Sequence, residues 1–152
     1  MKVVKLDTKL DPTKIADAFL SKEPSAEEHK IFQDQMEEWA KDQSPEKGPR
    51  PELKRERMSV TEFFRDVVSQ AIRQVHKSAT VEHLRRSNKI IEEFNAVSAD
   101  PSKEGIVTLS PDDFDYVRKA FRKADDWKNT PEIAKAILAV DAQIEKAVEI
   151  EA

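Results

Sequence analysis

The sequence predicts an all-α protein, a helical bundle of five to six helices with room for a minor two-stranded β-ribbon. Three observations carry this. Only two glycines, Gly48 and Gly105, occur in 152 residues, too few for a β-sandwich or barrel with its many turns. Five side-chain caps precede apolar runs, each able to satisfy the orphan N–H groups of a helix start. Within those runs the apolar residues recur at three- and four-residue steps, the period of a helix with one buried face.

Taken in chain order, Asp11 and Pro12 supply a cap and a first-turn proline ahead of Ile15, Ala16, Phe19 and Leu20. Ser25 and Glu28 form a capping box ahead of Ile31, Phe32, Met36 and Trp39. These starts predict two short helices, an N-terminal pair over residues 1–43. Residues 44–58 hold Pro45, Gly48, Pro49 and Pro51, which exclude a regular helix and predict a mobile, basic, proline-rich linker.

Residues 59–152 are expected to form the main bundle. Ser59 and Glu62 make a second capping box, and Val60, Phe63, Phe64, Val67, Val68, Ala71, Ile72 and Val75 form the cleanest apolar stripe in the chain. A break is expected near Thr80, after which Val81, Leu84, Ile90, Ile91, Phe94 and Val97 resume the pattern. Ser110 with Pro111, and Thr130 with Pro131, open the last two helices. Their stripes run through Phe114, Val117, Phe121, Ala124 and Trp127, and through Ile133, Ile137, Val140, Ile144 and Val148. Two short strand candidates, residues 2–6 and 106–109, are the halves of the possible ribbon.

Composition narrows function. Charged residues are 37% of the chain and apolar ones 38%, below the typical ~45–50% apolar share, so the surface is heavily charged and the core modest. With no cysteine there is no disulfide, thiol nucleophile or thiolate metal site. No Gly-rich phosphate loop and no apolar run near the ~18 residues that cross a bilayer are present. The chain is expected to be cytoplasmic, with no membrane partner and no cofactor.

The motifs that suggest chemistry each meet a counter-argument. Residues 100–111 imitate a calcium loop at Asp100, Ser102, Glu104, Gly105, Val107 and Thr108, but Pro111 stands where the bidentate glutamate must be. A turn, a short strand and a helix cap explain the segment, with Asp112 and Asp113 favouring the positive helix end. His29, His76 and His83 lie too far apart for a local zinc motif and read as surface residues. Acid pairs such as Glu92 with Glu93 point in different directions on a helix. No catalytic residue and no metal ligand is assigned, and the chain is expected not to be an enzyme.

Charge is distributed unevenly. Residues 47–89 carry eleven Lys or Arg against five Asp or Glu, so this middle is +6 and the flanks are −10 within a total of −4. Such asymmetry steers partners or sets self-association. Arg55, Arg57, Arg73, Arg85 and Arg86 are the candidate contacts if the partner is nucleic acid. Against that reading, the only aromatics in the basic stretch, Phe63 and Phe64, belong to the core stripe. Met36 and Trp39, beside the linker, are candidate anchors for a protein partner.

The segment from Ile106 through Phe121, followed by Trp127 and the helix begun at Thr130, resembles the short strand and helical hairpin of small accessory proteins of tailed bacteriophages. The likeness covers about a third of the chain and transfers no functional residue. It implies a virion-assembly or tail-assembly role. Together these readings predict a non-catalytic protein that binds another protein or its own copies. The alternative is a small regulator contacting nucleic acid through residues 47–89.

Overall fold

The structure, a computed structural model, describes residues 1–22, 24–53 and 56–151. In chain order its elements are β1 (Lys2–Asp7), α1 (Ala26–Lys41), α2 (Val60–Val75), α3 (Val81–Ser98), β2 (Ile106–Leu109), α4 (Pro111–Lys123), α5 (Pro131–Glu145) and β3 (Val148–Glu151). The protein is therefore mostly helical, as expected, with a small antiparallel sheet added. All five expected caps are used: Asp11, Ser25, Ser59, Ser110 and Thr130 each accept a backbone N–H from the following turn. At Ser59 both bonds of the capping box form. The break near Thr80 also forms, with Thr80 capping α3.

Several expectations need correction. Asp11 and Pro12 open only two 3-10 turns, Pro12–Lys14 and Asp17–Leu20. The chain turns extended at Ile15, so no helix long enough to repay its nucleation is started. The ribbon is a three-stranded sheet of order β2-β1-β3. Val148 belongs to β3 and not to the last helix, which ends at Glu145; the alternation of Val148, Glu149, Ile150 and Glu151 suits an edge strand. Ala124 and Trp127 lie beyond the end of α4, where Trp127 packs on Phe121 with ring centroids 6.0 Å apart.

The chain divides into two compact units, Met1–Leu20 with Ser59–Ala152, and Ser21–Met58. Residues 1–20 thus join the second half of the chain, where residues 1–43 had been expected to act as one arm. The cause is β1. It pairs with β2 in the register Val4↔Leu109 and Leu6↔Val107, and with β3 in the register Val3↔Ile150 and Lys5↔Val148. Val4, Leu6, Val107 and Leu109 point into the core, while Lys5, Asp7 and Thr108 face solvent.

The first unit's core lies between this sheet and the apolar stripes of α2 to α5. Phe64 and Phe94 are fully buried, with rings 5.9 Å apart, joined by Ile90, Val117, Val140 and Ile144. Burying each such side chain stabilises the fold by roughly 1.5–3 kcal/mol. The second unit is shorter of core, and no residue of α1 is buried. Its ends are held together by the antiparallel bridge of Ser21 with Arg57 and by the Lys22 N–H donating to the Glu56 carbonyl at 2.9 Å.

One polar knot ties the first unit. Thr8, buried just past β1, donates its hydroxyl and its backbone N–H to the Gly105 carbonyl, the latter at 3.0 Å. Its oxygen therefore accepts from the Thr61 hydroxyl at 2.7 Å. Gly105 sits at φ +72°, and a Cβ there would lie 3.1 Å from the Thr8 oxygen. Replacing Thr8 by the isosteric Val leaves the buried Thr61 hydroxyl without its acceptor. The Thr8→Val variant is expected to lose about 1–2 kcal/mol in urea unfolding at unchanged slope; no loss would show that the knot contributes nothing.

Candidate functional site

Polar chemistry in the first unit concentrates where the α2–α3 joint meets α4. His76 follows the last residue of α2 and donates its backbone N–H to the Ile72 carbonyl, and the third residue of α3 is His83, whose N–H is capped by the Thr80 hydroxyl. The short connection between them folds the two imidazoles together, with centroids 4.6 Å apart. Tyr116, from α4, lies nearly parallel to His76 at 5.4 Å and tilted against His83 at 6.0 Å. Its hydroxyl is 3.4 Å from both His83 Nδ1 and Ser87 Oγ, and the Arg86 guanidinium lies 5.5 Å from the centre of its ring.

Beside these rings opens a cavity lined by Glu82, His83, Arg85, Arg86, Lys89 and Asp113. Asp113 stands in the first turn of α4, where Ser110 caps its N–H at 3.1 Å. Its side chain is only 8% exposed. A buried carboxylate needs partners, and two arrive from α3: Arg86 Nε at 3.4 Å from one oxygen and Lys89 Nζ at 3.1 Å from the other. Three residues apart on a helix, those cations share a face. Arg85, on the rim, pairs with exposed Glu82 at 3.3 Å, a contact worth little in water.

His76 titrates below its ordinary value of 6.5, first because burial disfavours its charged form, then because His83 and Lys123 repel a proton there. Asp11 and Asp100 titrate below 3.8, each because it accepts hydrogen bonds from the residue two further on, Thr13 and Ser102. Asp100 is thereby committed to its own turn, in which Glu104 and Gly105 take positive φ.

The structure brings Arg85 and Arg86 together with Lys89 and His83 at one cavity. Arg73 is exposed on α2. Arg57 belongs to the second unit, in the bridge with Ser21. Arg55 lies outside the described residues. In the second unit Met36 is half-buried, and the half-buried Trp39 is engaged locally. Its indole N–H donates to the Gly48 carbonyl at 2.9 Å, and the Lys47 ammonium stands 3.7 Å from its ring centre. The proline-rich segment is thus fastened to α1 at this tryptophan.

Sequence reasoning took His76 and His83 for surface residues that could stack only if their segment were one helix, and Asp113 for a partner of the helix end; it did not single out Tyr116. The available signal was the position of both histidines on either side of the expected break. Tyr116 is 33 residues beyond His83, and nothing local links them.

Apolar surface is also exposed nearby. Val81 and Leu84, one turn apart on α3, are 63% and 59% exposed. A separate apolar cleft is lined by Phe19, Phe63, Val67, Trp127, Ile133 and Ile137. Among the described residues no group of three His, Asp or Glu could hold a metal ion, and no helix is long and apolar enough to cross a membrane. Compared with protein-family models, with curated proteins and with solved structures, the chain matches none.

The ring cluster makes stability depend on pH in a defined direction. Because the folded chain holds His76 below 6.5, the unfolded chain binds the proton first as pH falls, and stability drops with acidification from that value downward. Asp11 and Asp100 lose their contribution only at lower pH, as pH falls below 3.8. Between about pH 7.5 and 5.5, where His titrates and carboxylates do not, the melting temperature should fall, and His76→Gln should flatten that fall. An unchanged slope in the variant would assign the acid sensitivity to other groups.

Proposed function

We propose that the protein is a non-catalytic assembly or adaptor protein that binds another protein or its own copies through the start of α3. The observation that carries this is the pairing of two exposed large apolar side chains, Val81 and Leu84, on one helix face, with exposed Arg85 following Leu84 in the chain. An apolar centre bordered by arginine is the composition of an interface anchor. The helices then act as a bundle, a rigid frame presenting one recognition helix, and Ser21–Met58 is a second small unit available for contacts of its own. The resemblance to accessory proteins of tailed phages favours virion or tail assembly, in a host cytoplasm or a virion, as the setting.

A second reading is favoured by a specific feature, the gathering of Arg85, Arg86 and Lys89 at one cavity. In that reading the basic middle of the chain contacts nucleic acid, and binding falls steeply as salt rises.

Light scattering at low and high salt, with and without a short DNA duplex, separates the two. The assembly reading expects a defined oligomer that ignores DNA, reduced to monomer by combining Val81→Ser with Leu84→Ser, two mostly exposed positions. A monomer that shifts onto DNA at low salt alone would contradict it.

A further inference from the structure

The cavity between α3 and α4 holds more positive charge than its buried acid requires. Asp113 is one carboxylate, yet Arg86 and Lys89 both converge on it, and Arg85 lines the same space with the exposed Glu82 as its ion-pair partner. Three cations against two carboxylates leave the cavity at +1 before His83 is counted.

Donors are also left over. Arg86 meets Asp113 through Nε and Lys89 through a single Nζ contact. A guanidinium carries five N–H groups and an ammonium three, so most of both remain for another acceptor. The two long side chains are already oriented, Arg86 between the Asp113 carboxylate and the Tyr116 ring, and Lys89 against the second carboxylate oxygen. That ordering removes rotamer freedom a ligand would otherwise have to freeze. His83 adds a ring nitrogen on the same lining.

We infer that Arg86 and Lys89, oriented by Asp113 and Tyr116, form with His83 a site for a single phosphate group. A guanidinium, an ammonium and an imidazole lining one cavity suit the charge and the several acceptor oxygens of a phosphate. The geometry favours one phosphate over a polymer. His76, His83 and Tyr116 stack on one another, whereas single-stranded nucleic acid requires aromatic faces open to its bases and a track of cations along its backbone. The phosphate is therefore free or carried as a monoester by a small molecule or a side chain. This inference rests on the cavity and is independent of docking on Val81 and Leu84.

The test is a titration of the full chain with inorganic phosphate, following the histidine ring and arginine Nε–H resonances by NMR, with parallel arms using a phosphoserine peptide and a short DNA duplex. The site predicts saturable shifts at His83 and Arg86 with Kd of about 1 mM or tighter. It predicts weakening by at least about tenfold in Lys89→Gln and in Arg86→Gln, each losing a charge-assisted hydrogen bond. Lys89 is mostly exposed, so its variant remains decisive should Arg86→Gln fail to fold. Tighter binding of the peptide than of free phosphate assigns the source to a modified side chain; equal binding assigns it to free phosphate. Absence of saturable shifts, shifts undiminished in Lys89→Gln, or DNA binding with a salt slope of several phosphates would each overturn the inference.

Discussion

The first unit depends on β1 being the middle strand of its sheet. A central strand has both edges paired, so six residues at the start of the chain fix where β2 and β3 lie, one more than a hundred residues downstream and the other at the far end of the sequence. Its inward residues Val4 and Leu6 also close the apolar space left by the helices. Thr8 then binds the Gly105 carbonyl and the Thr61 hydroxyl, so the end of β1, the start of α2 and the turn before β2 share one buried polar junction. A two-stranded ribbon alone is marginal in water; the third strand and the helical cover explain its presence here.

The candidate site follows from that frame. The turn before β2 leads into α4, so the sheet sets where Asp113 and Tyr116 stand relative to α3. Burying Asp113 costs desolvation, and Arg86 and Lys89 offset it from a neighbouring helix. This is where the segregated charge of the sequence meets inside the first unit: two cations of the basic middle against one acid of the flank. The pairing uses part of the positive charge and leaves the rest at the surface.

What the sequence disclosed and what it withheld divide along the range of the interactions. Helix starts were readable because a cap is settled within four residues, as Ser25, Ser59, Ser110 and Thr130 illustrate, and the joint at Thr80 was readable from a weakening stripe. Asp11 carried the same local signal and opened only single turns, because helix length depends on what the following residues pack against. β3 was hidden because Val148 continues the three- and four-residue step of α5 while equally beginning a two-residue alternation. Only pairing with β1 decides between them. The grouping of residues 1–20 with the second half was hidden for the same reason. At the site, Arg85 and Arg86 stood out by charge, whereas Tyr116 and the burial of Asp113 depend on contacts between α3 and α4.

Amide hydrogen exchange on the intact chain tests the central role of β1 most directly, because exchange reports the opening free energy of each backbone bond. If β1 is the strand on which the unit closes, the hydrogen-bonded amides of Lys2–Asp7 and of Thr8 should be protected as strongly as those of α2 and α4. They should lose protection together with β2 and β3 in a single step as denaturant is added. Rapid exchange in β1 while α2 to α5 stay protected would contradict the account, showing that the helices close without the sheet.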